Sequence, residues 1–162
     1  MPATMDDRLK EIGSRIDRLQ ESAKAAHGRA KDSAQERVAA LRRQEASTRA
    51  AIKRANDRQA KNAAEKKQDA EERLEGLETK VKVTEHAMVA DAAADGKSFA
   101  NAVRGELAEW NAYFGRAQKR ISSELDELQA SSGDSARKLR KRIDGDVDGL
   151  NQSMDKLASR FH

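Results

Sequence analysis

The feature that most restricts this chain is an apolar pattern stepping by four and three residues, in a sequence whose only proline is Pro2. Proline inside a helix removes a hydrogen bond and clashes with the preceding turn, so its absence beyond residue 2 leaves the helical pattern without its strongest breaker. Ala, Arg, Lys, Glu, Gln and Leu dominate, and all are good helix formers. Met5, Leu9, Ile12, Ile16, Leu19, Ala23 and Ala26 are separated by 4, 3, 4, 3, 4 and 3, the spacing of a coiled-coil seam. Residues 79–84 alternate in a strand-like way. Leu74, Leu77, Val81 and Met88 carry the 3–4 spacing through them, so this stretch also reads as helix.

Punctuation divides the chain into about four helical segments, near 5–27, 33–93, 98–131 and 134–161, forming a single elongated module over 1–162. Thr4 with Asp7 three residues later marks a first helix start, and His27-Gly28 a stop. Ser33 with Glu36 resembles a capping box for a restart. Asp95-Gly96-Lys97-Ser98 forms a corner, with Ser98 expected as the next cap. Ser131-Ser132-Gly133-Asp134 forms another, with Asp134 or Ser135 as cap. The expected fold is all-α: a long antiparallel helical hairpin, coiled coil or elongated bundle.

The core should be thin. Of the apolar residues 29 are Ala, and Leu, Ile, Val and Phe together number 25, about 15% of the chain. The larger side chains are unevenly spread. Between Arg42 and Arg73 there is only Ile52, set among eight alanines, so this shaft is expected to be wet or to face a partner. The thickest cluster is expected where Phe99, Val103, Leu107, Trp110 and Phe114 face Leu74, Leu77, Val81 and Met88. On that reading Trp110→Ala or Leu107→Ala damages the fold far more than Ile52→Ala. The last seam runs Leu139, Ile143, Val147, Leu150, Met154, Leu157 and Phe161.

Several chemistries find no footing. Without cysteine there are no disulfides, thiol nucleophiles or thiolate metal sites. His27, His86 and His162 sit in no Glu-x-x-His or His-Glu-x-x-His pattern. Residues 91–98 resemble the end of a phosphate-binding loop. Asp91 stands where glycine is needed, and no preceding strand is readable. Asp144, Asp146, Asp148 and Asp155 have the spacing of a calcium loop, with Gly149 in the turn position. The seam through Ile143, Val147, Leu150 and Met154 requires a helix there, which turns Asp146 away from Asp144 and Asp148. No metal, no cofactor, no small-molecule substrate and no enzymatic activity are expected.

Charge supplies the remaining signal. The chain has 32 Lys and Arg against 28 Asp and Glu. The stretch from Arg37 to Lys67 alone is +7. Two basic groups are candidate anion-binding surfaces: Arg42, Arg43, Arg49, Lys53 and Arg54 on the shaft, and Arg137, Lys138, Arg140, Lys141 and Arg142 in the last segment. No aromatic lies between Leu41 and Leu74, so base stacking is not expected on the shaft. The start lacks a secretory pattern and no stretch has the length of a membrane span, so a cytoplasmic protein is expected. The expected function is a helical scaffold or adaptor, binding itself or another helical protein through coiled-coil contacts. The alternative is a peripheral binder of anionic surfaces, either phospholipid or non-specific nucleic acid.

Overall fold

The computed structural model describes residues 2–57 and 61–160, with side chains through residue 157. Phe161 and His162, like Ala60, lie outside the described residues. The fold is all-α, 91% helical, with five helices and no strand among the described residues. These are α1 (Met5–Ala25), α2 (Gly28–Ala55), α3 (Ala63–Ala92), α4 (Gly96–Ala130) and α5 (Gly133–Arg160). The chain divides into two compact units, Met1–Trp110 and Asn111–His162.

The first helix follows its sequence signals closely. Thr4 Oγ1 accepts from the Asp7 amide at 3.1 Å, and the Asp7 carboxylate accepts from the Thr4 amide at 3.2 Å. This reciprocal cap satisfies two otherwise unpaired donors and holds the Asp7 carboxyl below its usual pKa. Leu9, Ile12, Ile16, Leu19 and Ala23 all face inward. The chain then crosses Gly28 at φ +60°, a left-handed conformation that glycine adopts without penalty. The restart differs from expectation. α2 begins at Gly28, and Ser33 lies inside it, donating to Asp91 of α3 at 3.3 Å.

The expected continuous helix over 33–93 is instead two helices. α2 ends with Asn56 as its C-terminal cap, and α3 starts after Asn62 at φ 62° and ψ 42°. Asparagine enters the left-handed region more readily than other side chains, so a reversal forms there without glycine or proline. The return path buries the shaft. Ala34, Val38, Leu41, Glu45, Thr48, Ile52 and Ala55 continue a 4–3 repeat along α2. All are buried except Ala55, which packs against the core at half burial. Ile52 is 1% exposed, Ala51 1% and Ala70 0%, which corrects the picture of a wet shaft.

Ion pairs and hydrogen bonds report the helix order. Arg73 of α3 donates to Ser47 of α2 at 2.7 Å, which with Ser33–Asp91 makes α2 and α3 antiparallel. Arg42 reaches Gln20 of α1 at 2.9 Å and Asn56 reaches Asp6 at 3.1 Å, so α1 and α2 are antiparallel too. Arg8 bridges Glu71 and Glu78 at 2.9 Å each, and Arg15 meets Glu85 at 2.7 Å. These partners advance by seven on both helices, making a ladder that sets α1 parallel to α3. α1, α2 and α3 therefore form an up-down-up bundle around one apolar core.

α3 is buried on two sides. Leu74, Leu77 and Val81, each 0% exposed, enter the core with α1 and α2 rather than meeting α4. At about 100° per residue, Thr79, Val83, Ala87 and Ala90 fall on the opposite side and are buried as well. That two-sided burial explains why residues 79–84 alternate like a strand while remaining helical. His86 borders this second side, against Gly105 of α4, where a β-carbon would lie 2.5 Å from the imidazole. The expected cluster of α4 aromatics with Leu74, Leu77 and Val81 does not form. Trp110 is 7% exposed, but Phe99 is 49% and Leu107 43% exposed, because α1 and α2 already occupy the leucine face of α3.

Candidate functional site

The basic shaft is divided by the bundle into engaged and open cations. Arg42 lies between α1 and α2, where it donates to Asp17 and Gln20 and pairs with Glu45 at 3.5 Å. The hydrogen bond to Asp17 is the main reason its guanidinium pKa is raised. Arg49 approaches the same Glu45 oxygen at 3.5 Å. Arg43, Lys53 and Arg54 are exposed, the last two in the final turn of α2, where positive charge meets the negative end of the helix dipole. Charge density along the sequence could not separate these groups, because Asp17 and Gln20 come from a different helix.

Glu45 itself was not anticipated. It occupies a heptad position between Leu41 and Thr48 and is 6% exposed. One carboxylate oxygen faces Arg42 and Arg49. The other is buried without a hydrogen-bond partner among the described residues. Gly13 of α1 makes room for it, since a β-carbon there would sit 3.2 Å from that oxygen. Thr48, also fully buried, donates to the Gln44 carbonyl of its own helix at 2.8 Å. The middle of the bundle thus contains a polar layer. The available sequence signal was the unbroken 4–3 spacing through two polar residues.

Between α1 and α2 lies an open cleft of about 260 Å³, with Ala23, Val38 and Ala39 lining it beside Gln20, Lys24 and Arg42. Its two cations are already engaged, Arg42 as above and Lys24 with Glu21 at 3.2 Å.

The second basic group lies on α5. Arg137, Lys138, Arg140 and Lys141 are exposed and Arg142 is half-buried. Arg137 approaches Asp134 at 3.7 Å with a side chain still 84% exposed. Helix α5 continues through the aspartate-rich segment. Asp144, Asp148 and Asp155 therefore share one exposed face, while half-buried Asp146 projects nearly opposite. A calcium loop would need all four carboxylates to converge, and this backbone separates them. The 91–98 stretch is likewise the end of α3, a turn and the start of α4. Asp91 accepts from Ser33 and lies 3.6 Å from Arg37. Asp95, not Ser98, caps α4, accepting from the Ser98 amide at 2.7 Å and its hydroxyl at 2.8 Å. Those bonds hold the Asp95 carboxyl below its usual pKa.

Large apolar side chains remain outside on the later helices. Phe99, Leu107 and Leu125 of α4 are 43–49% exposed, and Val147 and Met154 of α5 are 37% and 50% exposed. No helix among the described residues is long and apolar enough to cross a membrane. No family model, curated protein or solved structure matches the chain.

Proposed function

We propose that this chain is a non-enzymatic helical scaffold, working through helix–helix contacts with further copies of itself or with another helical protein. The observation that carries this reading is the row of exposed apolar residues at helical spacing on α4 and α5. Exposed apolar positions that recur on one helix face mark association surfaces, whereas scattered ones carry no such meaning. The partly exposed polar groups around Arg8, Arg15 and Arg42 are engaged in ion pairs between the helices of the bundle, which leaves them little chemistry to perform.

The second reading is a peripheral binder of anionic surfaces, favoured by the exposed Arg137, Lys138, Arg140 and Lys141 and by Arg43, Lys53 and Arg54. It is the weaker of the two because Arg42 and Arg49 face carboxylates. Sedimentation velocity separates the readings, run at about 50 and 200 mM salt with and without duplex DNA or anionic vesicles. The scaffold reading expects concentration-dependent association that salt hardly changes. A monomer that co-sediments with DNA or vesicles only at low salt would replace it with the second.

A further inference from the structure

We infer that α2 has two starts, Gly28 and Ser33, and that residues 28–32 are a hinge that sets how tightly α1 is tethered to the bundle. This goes beyond the scaffold reading and does not depend on it.

The observed start is poorly made. His27 stands at the cap position, and its side chain makes no capping hydrogen bond. The bond that closes the first turn, from the Lys31 amide to the His27 carbonyl, is 3.4 Å long. Its counterpart in α1, from Arg8 to Thr4, is 3.0 Å. Arg29 and Lys31 bring positive charge to the positive end of the helix dipole, and the first turn holds no acid to offset them. None of residues 28–32 is buried, and the first buried side chain of α2 is Ala34. This turn therefore adds little to the apolar core.

A better start lies just beyond it. Ser33 and Glu36 have the spacing of a capping box, in which the hydroxyl accepts from the Glu36 amide and the carboxylate accepts from the Ser33 amide. Asp32 and Glu36 also put the favoured sign of charge there. In the observed state α3 holds the box open. The Ser33 hydroxyl donates to Asp91 at 3.3 Å, and Arg37, one turn beyond Ser33, lies 3.6 Å from the same carboxylate oxygen. Loss of the Ser33 bond frees the hydroxyl to cap its own helix, and the core from Ala34 onward is untouched.

The two starts tether α1 differently. With α2 beginning at Gly28, only Ala26 and His27 join it to α1. With Ser33 as the cap, the connection becomes residues 26–32, which reach about 23 Å when extended. α1 stays on α3 through the Arg8 and Arg15 pairs while its hairpin with α2 slackens. The Ser33–Asp91 contact is thus a catch, and its release turns a tight hairpin into a strap.

Amide hydrogen exchange on the full chain reads the two starts. In a helix that begins at Gly28, the amides of Ala34 and Gln35 donate to the carbonyls of residues 30 and 31. In one capped by Ser33 they are first-turn donors with no helical partner. They should exchange about tenfold faster than the amides of Leu41 and Thr48. Ser33→Asp and Ser33→Ala both remove the bond to Asp91, but only aspartate can cap. Exchange at Ala34 and Gln35 should rise about fivefold in Ser33→Asp and fall about threefold in Ser33→Ala. Glu36→Ala, which leaves the Ser33–Asp91 contact in place, should also slow it. An equal rise in both Ser33 variants would make the contact a plain tie and overturn the second start. Protection of Ala34 and Gln35 equal to that of Leu41 in every variant would overturn the hinge.

Discussion

Helices α2 and α4 exchange the roles that their compositions suggest. The inward repeat of α2 is built from Ala, Val, Leu, Glu, Thr and Ile, yet every member is buried or packed against the core. The apolar stripe of α4 carries two phenylalanines, a tryptophan and several aliphatics, yet its members at 99, 107 and 125 stand in solvent. On α4 the residues at 102, 106, 117 and 124 are buried, including Glu106 at 2% and Glu124 at 4%. Burial is therefore set by which face of a helix its neighbours cover, and only secondarily by how apolar that face is. The repeat of α2 faces both α1 and α3 in one core, so even a poor stripe is enclosed.

The sharpest test of that contrast pits one aliphatic on each helix against the other. Ile52→Ala removes a side chain that is 1% exposed and should cost about 2–5 kcal/mol in urea unfolding. Leu107→Ala, at 43% exposure, should cost about 1 kcal/mol or less in the dilute monomer. A larger loss at Leu107 would mean that the α4 stripe is a core after all.

Removing the polar layer of α2 tests whether enclosure or chemistry holds that helix in place. Glu45→Met should leave stability unchanged or raise it by about 1 kcal/mol, because Arg42 and Arg49 can turn to solvent and a buried carboxylate no longer needs desolvation. Gly13→Ala should become more favourable in that background than in the original chain, since the oxygen 3.2 Å away is gone. A double-mutant cycle on thermal melts reads both, and additivity of the two changes would contradict the notch. Loss of the Arg8 ladder through Arg8→Met should cost about 1 kcal/mol and the cost should shrink at high salt, as expected of partly exposed pairs.

The smallest expected effect concerns the α4 start. Asp95 is held below its ordinary pKa by the Ser98 amide, so its contribution is present above the unfolded value near pH 4. It is lost as the pH falls through the lower folded value. Amide exchange at residues 97–99 should rise there, and Asp95→Asn should flatten that dependence. An unchanged pH profile in the variant would assign the effect to another group.

How much of this was readable beforehand depends on whether the cause is local. The start of α1 was legible because Thr4 and Asp7 cap each other within one turn. The α4 and α5 seams were legible as periodicities, but not their exposure, which depends on neighbours. The reversal after Asn56 was missed because no glycine or proline marks it and Asn62 adopts its left-handed turn unaided. The α2 repeat was overlooked because Glu45 and Thr48 interrupt a search for large apolar residues. The engagement of Arg42 was invisible because Asp17 lies 25 residues away on another helix.

The parallel seating of α1 on α3 also bears on the order in which the bundle assembles. The two hairpins α1–α2 and α2–α3 close through short connections. The Arg8 partners lie 63 and 70 residues away, and the Arg15 partner also lies 70 away. Closing so long a loop early costs entropy that local hairpins do not face. The ladder is therefore expected to form after the rate-limiting step, with few of its contacts present in the transition state. Arg8→Met would hasten unfolding and leave the refolding limb of the chevron where it was, making this charged seam a latch on the native state's lifetime.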